Sequence, residues 1–415
     1  MTGFERVDGV LHGDGVSLEA AAARHGTPLY AYSRGALEAN FEAYRGAFAR
    51  VPHRVCYALK ANACRALLRL LAARGAGADV VSGGELRAAL RAGFPADSVV
   101  FSGVGKTDEE LVLGIEAGIG CFNAESEDEL ARLSVTAGAR GRTVRVALRV
   151  NPDIDPGSHP YISTGLRENK FGVEIDHAFE ILLRARRLPG LEILGVQCHI
   201  GSQILDLGPI EEAARELAAL SRRLLAEGFR LRQIDLGGGL GVDHDGCGAP
   251  TPAELAARVL PRIEGLGLTL MLEPGRSLVA SAGVLLTRVI AVKEREGKTF
   301  VIVDAGMNDL LRPALYAAYH RIEPVTARGR AAQLADVVGP VCETGDFLAR
   351  GRRLEAVRPG ELLAVRDAGA YGFSMASNYN MRPRAAEALL DAGTLRLVRR
   401  RESFEDLARA EVDEA

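Results

Sequence analysis

Tryptophan is absent from this 415-residue chain, and lysine appears only five times among 51 basic side chains, at Lys60, Lys106, Lys170, Lys293 and Lys298. Any covalent lysine chemistry therefore has few candidates. The six cysteines (Cys56, Cys64, Cys121, Cys198, Cys247 and Cys342) show no CxxC spacing. That speaks against a zinc site or a disulfide framework and for a reducing, cytoplasmic setting. The amino terminus, MTGFERVDGVLHGDG, has neither the basic region nor the apolar stretch of a signal peptide. The longest apolar run, Leu278 to Val292, is interrupted by Arg288; it is short for a membrane span and reads as a buried strand pair. A net charge of -3 gives no reason to expect a nucleic-acid or membrane partner.

What is present is the composition of a globular protein, 47% hydrophobic and 25% charged, in a chain long enough for two domains or a barrel with an appendage. Short β-branched runs alternate with amphipathic helical patterns up to about residue 275. The runs lie near Val55–Lys60, Ala78–Ser82, Ser98–Ser102, Gly118–Asn123, Val144–Asn151, Glu192–Ile200, Arg232–Leu236 and Leu268–Glu273. Helix starts are marked by a hydroxyl residue followed three positions later by glutamate: Ser82/Glu85, Thr107/Glu110, Ser126/Glu129 and Thr251/Glu254. Eight strands alternating with helices predict an α/β barrel over residues 26–277, with a doubly wound sheet as the alternative. After Arg276 the strands (Leu285–Val292, Thr299–Asp304, Gln333–Val338, Leu362–Arg366) have few long helices between them. Residues 278–415, joined by residues 1–25, are expected to form a second, mainly β domain.

In such a barrel the chemistry lies at the carboxyl ends of the strands. Those positions carry Lys60, Asp79, Arg149, Asn151, His199, Ser202, Gly237–Gly239, Glu273 and Arg276. This set suits a phosphorylated, nitrogen-containing aromatic cofactor held by a lysine. Lys60 ends the apolar stretch VCYALKAN, where lost hydration would favour the neutral amine; a rim lysine reaching solvent is the other reading. Bare amides at Gly237–Gly239 can cradle a phosphate, although glycine triplets also make simple turns. His199 reads either as a core histidine or as an imidazole stacked on the cofactor ring. Glu273 can pair with a protonated ring nitrogen, and Arg276 with a phosphate or a carboxylate. GVGKT at Gly103–Thr107 is not a nucleotide loop, because the required first glycine is Val100. In the second domain, Arg312 and Tyr316 are spaced to share a helix face. Cys342, in a polar turn, is either a core cysteine or a proton donor or acceptor.

The segments YALKAN, GADVVSGGEL, HPYISTGLRENKFG, CHIGSQ, DLGGGLG, EPGR, DAGMNDLLRPALY, GPVCETGDFL and GAYGFSMASNYNMRPR run in order along most of the chain. Together they resemble the barrel-plus-β-domain pyridoxal-phosphate enzymes that include alanine racemase and ornithine decarboxylase, and within them the diaminopimelate decarboxylase family. The resemblance implies pyridoxal 5'-phosphate as cofactor, with Lys60 as covalent anchor and His199 stacked on the ring. Glu273 would lie at the ring nitrogen. Asp79, Ser202, Gly238, Gly239, Gly275, Arg276 and Tyr371 would surround the cofactor. It further implies that Arg276, Arg312, Tyr316 and Tyr371 hold a carboxylate-bearing substrate and that Glu343 takes its distal ammonium. Cys342 would be the proton donor, contributed with Glu343 across a homodimer interface. One departure is Arg167, where the family pattern leads one to expect lysine; the charge is kept.

The implied reaction is decarboxylation of meso-2,6-diaminopimelate to L-lysine. Ornithine presents only an ammonium at its far end. Diaminopimelate presents an ammonium and a carboxylate, which calls for an acid together with a cationic clamp. The alternatives are a relative acting on ornithine, arginine or a carboxylated polyamine, an amino-acid racemase, and a non-catalytic cofactor-binding barrel.

Overall fold

The computed structural model describes residues 3–412 apart from Ser158, Ser163, Leu166, Arg167 and Glu168. The chain divides into two units, one of residues 41–242 and 249–277, the other of residues 1–40, 243–248 and 278–415. The expected amino-terminal boundary at residue 25 thus falls later. Strand Leu29–Ser33 pairs antiparallel with Gly283–Arg295 and parallel with Ala386–Asp391, both in the second unit.

The first unit is a closed parallel barrel. Its eight strands are His53–Ala58, Gly77–Val80, Val99–Phe101, Cys121–Ala124, Val144–Asn151, Leu191–Gln197, Gln233–Asp235 and Thr269–Leu272. Each pairs with the next, and the eighth closes on the first with Leu272 opposite Val55. Cys56, Val100, Cys121, Ala147 and Met271, from five strands, pack as one buried layer. Small and branched side chains are what a barrel of this size can enclose.

The capping pairs do set helix starts, in two ways. Thr107/Glu110 and Thr251/Glu254 form reciprocal boxes. Ser82 and Ser126 accept from the Glu85 and Glu129 amides as expected. Their glutamates instead reach one residue further back, to the Val81 and Glu125 amides. The rejected nucleotide loop is structural: Lys106 is buried, 2.7 Å from Glu129, and donates to the Gly103 and Asn123 carbonyls.

The second unit is built on strand Gly283–Arg295, which pairs with Leu29–Ser33, Leu362–Val365 and Lys298–Val303. Lys298–Val303 runs parallel to Ala332–Val338, which pairs antiparallel with Phe347–Glu355. Phe4, Leu18, Leu29, Val284, Leu286 and Leu390 share its core. The apolar run from Leu278 is not a strand pair. It holds the end of a helical turn, Arg276–Val279, followed by the single long strand. No helix of the described residues is long and apolar enough to cross a membrane.

Candidate active site

At the carboxyl rim of the barrel, the first strand runs into a tight turn, Leu59–Ala61, that carries Lys60. The Tyr57 hydroxyl braces this turn by donating to the Asn62 carbonyl at 2.9 Å. Lys60 Nζ lies 2.8 Å from Asp79 Oδ2; the lysine side chain is 35% exposed and Asp79 is fully buried. Of the two readings of Lys60, the rim position in reach of solvent is the one observed, with a buried carboxylate beside its amine. Glu85 stands behind this pair, its pKa pushed up to about 7 by burial first and by the Asp79 charge.

Glu273 follows the eighth strand. Asn123 Nδ2 donates to its Oε1 and Gln197 Nε2 to its Oε2, each at 3.1 Å. Burial, then the nearby Asp235 and Asp79 carboxylates, hold its pKa well above the ordinary glutamate range. Asp235, raised to about 6 chiefly by burial, accepts from the Gly237 amide at 2.8 Å. A carboxyl so placed takes up negative charge only when a cation comes to meet it.

His199 Nδ1 accepts from the Gly238 amide at 3.3 Å, which fixes the ring proton on Nε2. Burial, followed by the charges of Lys60 and Arg149, keeps the imidazole pKa well below its usual value, so the ring is neutral. Its carbonyl is held by Thr164 Oγ1 at 2.6 Å, and Arg149 is itself locked to Glu125 at 2.6 Å. The glycine turn beside it is sterically enforced. A Cβ on Gly238 would lie 2.3 Å from the Glu273 carbonyl oxygen, and one on Gly239, at φ +119, 2.7 Å from that of Gly201. Ser202 Oγ accepts from Arg276 Nη2 at 3.0 Å, and Gly275 passes within contact of Ala58 and Ala61.

The residues fit pyridoxal 5'-phosphate. The rim supplies an amine, a buried carboxyl, a neutral ring and a backbone cradle that any Cβ would fill. Lys60, Asp79, His199, Ser202, Gly238, Gly239, Glu273, Gly275 and Arg276 all belong to this unit. Asn123, Gln197 and Asp235 were not read from the sequence. Asn123 falls inside a strand, and Gln197 and Asp235 end theirs without a motif to mark them.

The other candidates lie in the second unit. Arg312 and Tyr316 begin and end one short helix, as their spacing predicts. Arg312 is buried, and its Nη1 is 2.7 Å from His320 Nε2, while His320 Nδ1 is 2.8 Å from the Arg366 carbonyl oxygen. Only the neutral tautomer protonated on Nδ1 satisfies both bonds. Cys342 is exposed, and Asn380 Oδ1 accepts from its amide at 2.8 Å. Glu343 caps the Gly345 amide, and the buried Asp346 ties the turn together through the Met307 and Val341 amides. Tyr371 sits at φ 55, left-handed backbone that a tyrosine rarely adopts. Arg167 lies outside the described residues.

Comparison with known proteins bears on the same residues. The profile of the family described as pyridoxal-dependent decarboxylase, pyridoxal binding domain, matches residues 34–280. Diaminopimelate decarboxylase of Pseudomonas fluorescens is 52% identical over 408 residues, 98% of each chain. The solved diaminopimelate decarboxylase of Helicobacter pylori, complexed with L-lysine, is 44% identical, with a TM-score of 0.91, covering 94% of this chain and 98% of its own. That of M. jannaschii, also in complex with L-lysine, is 40% identical, with a TM-score of 0.95, covering 100% and 99%.

Proposed function

The chain belongs to the diaminopimelate decarboxylase family of pyridoxal-dependent decarboxylases, and from that premise we propose that it converts meso-2,6-diaminopimelate to L-lysine and carbon dioxide. This is the last step of lysine biosynthesis, and we assign it to the cytoplasm. The observation that carries the reading is the barrel rim, where Lys60, Glu273 and neutral His199 are each fixed by named partners around a glycine cradle.

Pyridoxal 5'-phosphate bound at that rim supplies an electron sink for the pair left when carbon dioxide departs. Gly238, Gly239 and Arg276 would hold its phosphate, and Ser202 orients the Arg276 guanidinium. Glu273 would meet the protonated ring nitrogen, since its buried, acid-flanked carboxyl is otherwise costly to ionise. His199, neutral and held by Gly238, would lie against the ring without adding positive charge. Lys60 Nζ would be the amine that holds the cofactor, and Asp79, 2.8 Å away, keeps that amine in place.

Arg276, Arg312, Tyr316 and Tyr371 are assigned to the carboxylate that is kept, and Glu343 to the distal ammonium. An arginine left there without a carboxylate penalises ornithine and lysine as substrates. Cys342 delivers the proton to the α-carbon. We assign Cys342 and Glu343 to the site of a second copy of the chain, which makes a homodimer the working unit.

The test is carbon dioxide release by the holoenzyme with meso-diaminopimelate, L-lysine, L-ornithine and L-arginine. Release from diaminopimelate alone is expected; release from ornithine or arginine would overturn the assignment of Arg312 and Tyr316. Mixing inactive Lys60→Ala and Cys342→Ala proteins tests the shared site. Activity that neither has alone is expected, and none would sink the exchange of residues between subunits.

A further inference from the structure

The barrel's other mouth, at the amino ends of its strands, opens into a cavity of about 370 Å³, a volume within the range of small-molecule sites. Its lining is unlike an ordinary barrel floor. Arg54 on the first strand and Arg145 on the fifth both line it. Neither has a carboxylate partner among the described residues. Arg54 Nη1 donates to the Asp97 carbonyl and Arg145 Nη2 to the Ile119 carbonyl, each at 3.0 Å, which holds the guanidiniums in place without neutralising them. Gly77 makes room for the first of them, because a Cβ there would meet Arg54 Cδ at 3.3 Å.

Deeper in, Gln233 is 8% exposed and its Nε2 meets no oxygen or nitrogen acceptor, only the weakly accepting Cys121 sulfur. A buried amide donor left unmatched is costly, and donors without acceptors ask for an acceptor from outside. The same cavity is floored by Val100, Cys121 and Met271 of the apolar barrel layer. A third lining arginine, Arg232, is paired with Glu192 at 2.7 Å and adds no free charge. The Asp97 carboxylate, also in the lining, offsets part of the charge, so Arg54 and Arg145 leave the mouth net positive.

We propose that this mouth is a second binding site, for a small oxyanion, a carboxylate or phosphate group that bridges Arg54 and Arg145 and accepts from Gln233 Nε2. Two fixed guanidiniums and a buried amide form the donor set that a planar or tetrahedral oxyanion satisfies, and the apolar floor accommodates a short carbon body. The site lies at the opposite ends of the strands from Lys60 and does not depend on the reaction proposed above.

The experiment is calorimetric titration of the cofactor-saturated enzyme with inorganic phosphate and, separately, with succinate, against chloride at matched ionic strength. Saturable heat is expected from at least one of the two. Phosphate alone identifies a phosphate group as what is read, and succinate alone a carboxylate. Arg145→Gln and Gln233→Glu should each weaken binding by about tenfold or more, the loss expected for one charge-assisted hydrogen bond. Both should leave decarboxylation and cofactor absorbance unchanged. Gln233→Glu keeps the side-chain shape and so serves if Arg145→Gln does not fold. Absence of saturable heat with both anions overturns the proposal. So does heat that persists in both variants, since the anion is then held elsewhere, at the catalytic rim included.

Discussion

The side chains proposed for the chemistry were singled out because strand ends are few and each carries a distinctive group. Lys60, His199, Glu273 and Arg276 stand out on that ground. The residues that hold them were not. Asn123 and Gln197 reach Glu273 across 150 and 76 positions of sequence, and nothing local marks an amide as a partner. His320 is similar: its Nε2 lies 2.7 Å from Arg312 Nη1 with no local signal to mark it. Replacing His320 with leucine should raise the KM for diaminopimelate by about tenfold or more, with a smaller fall in kcat, because a buried arginine loses its acceptor. Glutamine at that position should restore much of the loss. Glu85 gives a pH prediction. Its folded pKa is raised, so its contribution to stability is present below about 4.5 and is lost as pH rises through about 7. Glu85→Gln should therefore gain stability over the parent between pH 5 and pH 8, by up to about 3 kcal/mol in denaturant titrations.

At the scale of elements, all eight barrel strands were readable, since each is a short apolar run and four of them are followed by a helix-start signal. Strand Leu29–Ser33 was not. All five of its residues are buried, so there is no alternation to read, and its partners lie some 250 to 360 positions away. The capping pairs identified helix starts but not where each glutamate goes. That choice depends on whether the carboxylate is drawn elsewhere, as Glu129 is by Lys106. Thr107→Ala, which removes a reciprocal box on the barrel exterior, should cost about 1 kcal/mol in unfolding experiments without altering turnover. Gly238→Ala should behave in the opposite way. Its Cβ would press on the Glu273 carbonyl at 2.3 Å, so cofactor absorbance and activity should both disappear. A variant that kept both would show that the cradle is not where the phosphate is held.

At the scale of the molecule, the barrel-plus-β organisation was legible from the change of pattern after Arg276, whereas the amino-terminal boundary was set by long-range pairing. The second unit is assembled from both ends of the chain, and Leu29–Ser33 is clamped between a strand that begins at Gly283 and one that begins at Ala386. A protein ending at residue 385 should leave one edge of Leu29–Ser33 unpaired and should sediment as aggregate, whereas one ending at residue 400 should stay in solution. The same arrangement sets a timetable for synthesis. Leu29–Ser33 leaves the ribosome among the first residues and its parallel neighbour among the last, an interval of well over ten seconds at about 5–20 residues per second. Both edges of this apolar strand are bare until Gly283–Arg295 is made, and one stays bare until Ala386–Asp391 follows, which makes it the segment a chaperone would be expected to shield.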